Sequence, residues 1–560
     1  MEDKKTSSHI YTGSDPLSRF RRALLYTVGF TKEQMDKPLI AVANTWNEIH
    51  PGHMHLRRLA EKVKEGVLMA GGMPMEFNTI SLCDGLANGH AGMRYVLPSR
   101  EIIADSIELN IHAHAFDAMV LIGSCDKIIP GLLMAAARID IPAILVAGGP
   151  MFPGHWPRFD LNFSVSAMPE VAGRWGRGEF SEEQLEEMTR CIYPCAGACW
   201  GMGTANTMAC LTEAVGLSLP GDGTAHATTA KKDRLAVEAG VRVMELLKAG
   251  LTPSKILTEA AFENMLRVNM AIGGSLNTVL HIPAIAHEAG IHIDMDMFDE
   301  MSRRTPHLCN IEPSGPYFLS DLERAGGIPG VMKRLEASLQ KGAVTVTGKT
   351  VGENLQHAEV FDDEVIRPLD RPVHHYGGIA VLKGTLAPRG AVIKQVAVSE
   401  SLWKFEGPAH VFDSEEDATQ ALLSGGISAG DVIIIRYEGP RGGPGMREMA
   451  HFRVMLELSG LGEKVYLITD GRYSGYSNGP SIGYLSPEAA DGGPIALVRT
   501  GDRISIDVEA RRLDVLVSEE EMAERTKQWK SPAQRVRKGY LARYAASARS
   551  AAEGAIIPNP

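Results

Sequence analysis

The stretch MVLIGSCDKIIPG, Met119 to Gly131, sets Cys125, Asp126 and Lys127 side by side where an apolar run ends. A thiolate is a soft metal ligand and a carboxylate a hard one. Cys125 alone reads as a small buried hydrophobe. With Asp and Lys beside it at a buried strand end, the group is costly unless something binds it. FNTISLCDGLANGH repeats the Cys-Asp pair at Cys83 and Asp84. Two aspartates from separate loops suit a hard cation such as magnesium, whereas thiolates suit iron.

Three more cysteines, Cys191, Cys195 and Cys199, lie in CIYPCAGACWGMGTANTM, a glycine-rich loop ahead of a helix. Glycines let backbone approach a bulky inorganic group, and amides at a helix start suit an anionic one. The CxxxCxxxC spacing departs from paired zinc knuckles, and a thioredoxin-like CxxC is absent. Further on, RGGPGMREM supplies Glu448, and LITDGRYSGYSNG supplies Asp470, Arg472 and Ser474 after a strand. Ser474 lacks the GxSxG surround of a hydrolase, and no HExxH occurs. GAVTVTGKT has five residues between its glycines, where a phosphate-binding loop needs about four, so nucleotide binding there is rejected.

The elements that must position these residues follow from the pattern. Through residue 370, apolar strands (38–45, 118–124, 141–149) alternate with helical stretches, among them MHLRRLAEKVKEGVLMAG and TANTMACLTEAVGLSL, the second with Thr204 or Asn206 as its cap. This is the texture of a wound α/β sheet, whose ligands gather beyond the carboxyl ends of strands. From 371 to 560 the chain turns to short β-rich pieces between glycines: GIAVLKG, GAVIKQVAV, GDVIIIRYEG, KVYLITDGR and DRISIDV. The tail SPAQRVRKGYLARYAASARSAAEG reads as helical, its basic face solvated or between subunits.

At 560 residues the chain exceeds one core, and 44% hydrophobic with 22% charged residues is a globular composition. A net charge of -11 leaves no basic footprint for nucleic acid or anionic lipid and favours a small soluble substrate. No apolar run approaches the roughly 18 residues of a membrane span. The opening MEDKKTSSHIYTGSD is not read as a secretory signal, and seven cysteines, an odd number, favour a reducing cytoplasm.

Two long stretches, CDKIIPGLLMAAARIDIPAILVAGGPM and LITDGRYSGYSNGPSIGYLSPEA, resemble the two signatures of the dihydroxy-acid dehydratase and phosphogluconate dehydratase family. The likeness covers nearly the whole chain. It leans to the dihydroxy-acid dehydratase branch, the enzymes of branched-chain amino acid synthesis. The resemblance implies an N-terminal α/β/α sandwich domain and a C-terminal β-barrel-like domain in a dimer or dimer of dimers. It implies that Cys125 and Cys199 bind an iron-sulfur cluster, that Asp84, Asp126, Glu448 and a carbamylated Lys127 bind magnesium, and that Ser474 is the base. The implied reaction removes the C2 proton and C3 hydroxyl of a 2,3-dihydroxy-3-methyl acid, and the enol relaxes to a 2-keto acid.

The sequence also departs from the family. Members with a 2Fe-2S cluster carry a third cysteine where Gly52 stands in NTWNEIHPGHMHL. Either Cys83 supplies the third thiolate or the cluster is 4Fe-4S; Cys191, Cys195, Cys210 and Cys309 are read as structural. YSGYSNGPS replaces a Gly-Thr turn, and RPVHHYGG brings in His374 and His375. Those changes keep open an aldonic acid dehydratase forming 2-keto-3-deoxy acids. A non-catalytic iron-sulfur sensor fits less well, because the magnesium set and Ser474 are all present; a zinc-stabilised interaction protein is more remote, and zinc without acid-labile sulfide would mark it.

Overall fold

The structure, a computed structural model, describes residues 7–164 and 167–558, so the first six residues of the charged N-terminal segment lie outside it. Four parallel strands, β1 (Leu39–Asn44), β2 (Met73–Asn78), β3 (Ala118–Gly123) and β4 (Ala143–Ala147), form a sheet in the order β2-β1-β3-β4. Every residue of β1, β3 and β4 is buried, which requires cover on both faces. That cover includes the helices α1 (Leu56–Met69), α2 (Ser99–His114), α3 (Ile128–Ile139), α4 (Thr204–Ala214) and α5 (Ala230–Ala249). α2 packs on α3, and α1 on α5. The last pair crosses at two glycines, where a Cβ on Gly66 would lie 3.0 Å from the Gly240 Cα.

Strand β2 was not among the expected strands. Its MPMEFN carries a proline and a glutamate, which an edge position tolerates and a central one does not.

The second half forms one sheet of eight strands: β5 (Ala380–Leu382), β6 (Gly390–Ile393), β7 (Lys404–Phe412), β8 (Val432–Ile435), β9 (Tyr466–Thr469), β10 (Ser481–Ser486), β11 (Arg503–Asp507) and β12 (Arg512–Val515). Their order is β12-β11-β7-β8-β9-β10-β6-β5. The middle four are parallel and the outer pairs antiparallel. The two edges meet: Lys383 N–H donates to the Arg511 carbonyl at 3.0 Å, and Leu513 N–H to the Lys383 carbonyl at 3.1 Å. The sheet is thereby nearly closed into a barrel, as expected. β7 escaped the sequence reading because its KFEGPAHVF is broken by a glycine and a proline.

Side chains alternate across β8 and β9. Val432, Ile434, Tyr466 and Ile468 fill the barrel, whereas Ile433, Ile435 and Leu467 join the core of the N-terminal half. The loops after β2, β3 and β4 and those after β8 and β9 therefore leave the carboxyl ends of parallel strands in two sheets that are packed together.

Two local expectations need correction. The cap of α4 is Gly203, without a side-chain bond; Asn206 lies inside the helix and turns back to the preceding loop. In the basic tail only Tyr540–Ser547 is α-helical, and Arg535 reaches the buried Glu438 at 3.0 Å within the chain. No helix among the described residues is long and apolar enough to cross a membrane.

Candidate active site

Three carboxylates from three loops converge. Asp84 follows β2, Asp126 follows β3 and Glu448 follows β8, and each offers an oxygen within 4.8 Å of the others. Lys127, fully buried, donates to Asp84 Oδ2 at 2.5 Å and to Asp126 Oδ2 at 3.2 Å. Arg472, also fully buried, pairs with Glu448 and lies 3.6 Å from Asp84 Oδ2. A backbone bridge between Glu448 and Arg472, with Met449 N–H donating to the Arg472 carbonyl at 2.8 Å, fixes that pair. Burial pushes Asp84 up to about 7 against the pull of Lys127. Asp126 stays below the usual range, because Lys127, Arg472 and the Thr204 hydroxyl outweigh its burial. Asp84 Oδ1 is buried without a hydrogen-bond partner.

Beside the carboxylates lie three thiols close enough to feel one another's charge. Cys83 precedes the helical turn Asp84–Ala87, Cys125 follows β3, and Cys199 lies in the loop before α4. Burial pushes all three thiols up, Cys199 to about 12, and the charges of Asp84 and Asp126 add to it. Cys125 feels both other cysteines, and Cys199 feels Cys83. Cys199 is a solvent-exposed residue, although protein atoms surround its thiol. Asn206 Nδ2 holds the loop by donating to the carbonyls of Cys199 and, at 2.7 Å, Gly201.

Gly52 sits against this set. A Cβ there would lie 2.7 Å from Cys125 Sγ. His53, one residue on, accepts the Cys125 N–H at its Nε2 at 3.0 Å. Its Nδ1 lies 2.8 Å from the Thr45 carbonyl, which only a protonated Nδ1 can satisfy. Both ring nitrogens are thus occupied, so His53 positions Cys125 and is not a ligand, although His50, His53 and Cys125 lie close together.

Ser474 is half-buried in a turn closed by Ser477 N–H donating to the Ser474 carbonyl at 3.0 Å. Its Oγ accepts the Tyr476 N–H at 3.2 Å. Gly475 is seated against the start of α4, where a Cβ would meet Thr204 N at 2.9 Å, so the turn admits no side chain there. The Tyr476 hydroxyl accepts the Gly201 N–H at 2.7 Å, tying the serine turn to the cysteine loop. Ser474 and Tyr476 line a cavity of about 830 Å³ with Asn88, His374, Tyr376 and Glu400.

The family model for the N-terminal part of dihydroxy-acid/6-phosphogluconate dehydratases matches residues 37–354, and the model for the C-terminal part matches 364–555. The chain belongs to this family. It is 53% identical to a dihydroxy-acid dehydratase of Ignicoccus hospitalis over 96% of this chain and 97% of that one. It is 52% identical to a protein of that name from Methanosarcina barkeri over 96% and 97%. A third, from Methanothrix thermoacetophila, is 52% identical over 98% and 99%.

Within this dehydratase frame the donor sets fit the two groups the family implies. Three oxygen donors, one of them an unpartnered buried oxygen, suit a hard dication. Three neighbouring thiols whose ionisation burial opposes suit a cationic metal centre that stabilises thiolates. Among the described residues Cys191 and Cys195 stay apart, packed with Trp156, Phe163 and Phe180, and Cys210 and Cys309 are buried in the core.

Of the residues named from sequence, Asp470 faces away from the site and accepts the N–H groups of Tyr437, Glu438 and Ala489. His374 lines the cavity, whereas His375 is exposed. Sequence reasoning missed the roles of His53 and Asn277. The second donates to Thr204 Oγ1 at 2.9 Å and accepts from Arg472 at 3.4 Å. The histidine-rich HPGHMHL around Gly52 was a signal for His53; nothing in the sequence around Asn277 marks it.

Proposed function

We propose that the chain is a hydro-lyase that dehydrates 2,3-dihydroxy-3-methyl acids to 2-keto acids in branched-chain amino acid synthesis. The observation that carries this reading is the convergence of Asp84, Asp126 and Glu448, drawn from both halves of the chain, near three thiols, with the Ser474 turn seated on the helix start whose Thr204 bonds Asp126. Asp84, Asp126, Glu448 and a carbamylated Lys127 would hold magnesium. Cys83, Cys125 and Cys199 would hold an iron-sulfur cluster. When bound, these groups would supply Lewis acidity for loss of the C2 proton and of the C3 hydroxyl.

The chain's own residues do the rest. Ser474 Oγ takes the C2 proton, and the Tyr476 N–H holds that oxygen in place and favours its ionised form. Arg472 pairs with Glu448 and lies 3.6 Å from Asp84 Oδ2, which aims the two carboxylates at one point. Carbamylation exchanges the Lys127 cation for an anion: the neutral amine adds carbon dioxide and loses a proton. Three carboxylates, one carbamate and Arg472 then carry a summed charge that calls for a dication. The half from residue 1 to 370 would carry the thiols and most oxygen donors, and the half from 371 to 560 would carry Glu448 and the serine.

Seven unpaired cysteines support a cytoplasmic setting. The exposed apolar row Leu17, Phe20 and Leu24 on helix Pro16–Thr27 supports a homodimer or dimer of dimers. A second reading, dehydration of aldonic acids, is favoured by the polar wall of His374, Tyr376 and Glu400. The deciding experiment compares 2-keto acid formation from 2,3-dihydroxyisovalerate and from five- and six-carbon aldonates, using anaerobically purified protein with magnesium. Faster turnover of the branched acid supports the first reading; faster turnover of an aldonate replaces it with the second.

A further inference from the structure

Lys394 is a fully enclosed lysine, 3% exposed, one residue beyond β6. Its Nζ donates to the carbonyl of Gly475, the residue after Ser474, at 3.5 Å. The charged and titratable groups that face it are Glu312, whose charge favours its ammonium, and the buried His307, whose protonation it opposes. Enclosing an ammonium is expensive, and one long bond to a carbonyl does not repay the cost. What that carbonyl does supplies a reason.

The Gly475 carbonyl and the Tyr476 N–H belong to the same peptide unit, and the only cis bonds among the described residues precede Pro313 and Pro487. In a trans unit the two groups point in opposite directions. One end of this unit therefore faces the Lys394 ammonium, and the other donates to Ser474 Oγ at 3.2 Å. A cation at the carbonyl end draws charge onto the oxygen and makes the N–H a stronger donor.

We propose that Lys394 is a positioning residue that polarises the Gly475–Tyr476 peptide and so stabilises the ionised form of Ser474. This rests on the reading of Ser474 as base. Burial brings Lys394 down to about 8, which leaves it a cation at neutral pH. The peptide is its lever, so the lysine need not touch substrate. The rigid seat of Gly475 on α4 keeps the peptide from turning to follow another partner.

The test is the pH dependence of kcat for 2,3-dihydroxyisovalerate in wild type, Lys394→Met and Lys394→Gln, at matched iron content. Gln keeps a donor to the Gly475 carbonyl without the charge, and it is the fallback should the Met variant not fold. The expected result is a midpoint of the acid limb about one unit higher in both variants, with kcat at neutral pH down roughly tenfold and KM changed less than twofold. An unmoved midpoint, whatever the loss of kcat or stability, would overturn the proposal. So would a Lys394→Met effect of equal size on the residual rate of Ser474→Ala. Absence of turnover by wild type would instead overturn the reading of the enzyme, so the two failures are distinguishable.

Discussion

Gly52 and Cys125 are in such close register that a single methyl group on Gly52 would lie 2.7 Å from the Cys125 sulfur. The bare glycine leaves room for whatever the sulfur binds. Gly52→Ala is therefore expected to lower bound iron and sulfide severalfold, at a cost of about 1–3 kcal/mol in stability for the crowding. Iron and acid-labile sulfide assays on the anaerobic protein, with a urea melt alongside, check this. Full iron retention in the variant would contradict it.

The thiols divide into a set and a remainder. Cys83→Ser, Cys125→Ser and Cys199→Ser are each expected to lose most of the iron, because each removes one of the three neighbouring donors. Cys210→Ser, buried beside Cys309 and away from the set, is expected to keep its iron while losing some stability. Iron per chain separates these outcomes, and iron retention in Cys83→Ser would return the third ligand to the open alternatives.

Lys127 lies between two aspartates, where the proposed carbamate would form once a dication replaces its charge. Protein equilibrated with ¹³C-bicarbonate and magnesium is expected to show a single protected carbamate carbon by NMR, absent from Lys127→Arg. A spectrum unchanged by that substitution would remove the carbamate from the account.

Away from the site, burial raises Glu488 to about 8 and Asp470 to about 6; the Asp470 charge adds to the first shift and the Glu438 charge to the second. The folded state keeps protons that the unfolded chain releases near 4.5 and 3.8. The folded state therefore binds more protons between those limits, and stability falls as pH rises from about 5 to about 8. Urea midpoints across that range are expected to drop more in wild type than in Glu488→Gln. Parallel curves would show that Glu488 titrates normally.

Chemistry was more legible in the sequence than connectivity. Cys125, Asp126 and Lys127 announced themselves because three costly residues together at a strand end have few structural uses. The α/β texture was visible in apolar runs such as that of β3. β2 and β7 were not visible, since their prolines, glycine and charges are tolerable only where the sheet supplies partners from distant sequence. His53 and Lys394 were hidden for a related reason. Each acts through backbone groups more than 70 residues away in sequence, Cys125 N–H for His53 and the Gly475 carbonyl for Lys394. No local pattern encodes such a contact. Glu448 could be assigned a partner ion only from the resemblance, because the bridge to Arg472 exists only in the fold.

The decisive measurement is 2-keto acid formation from 2,3-dihydroxyisovalerate by anaerobic, magnesium-supplied wild type and Ser474→Ala at equal iron content. Wild type is expected to turn over, and the variant to lose roughly 10²–10⁴-fold, the range for removal of a general base. Near-normal turnover by Ser474→Ala would contradict the serine's role, and no turnover by fully iron-loaded wild type would contradict the assigned reaction.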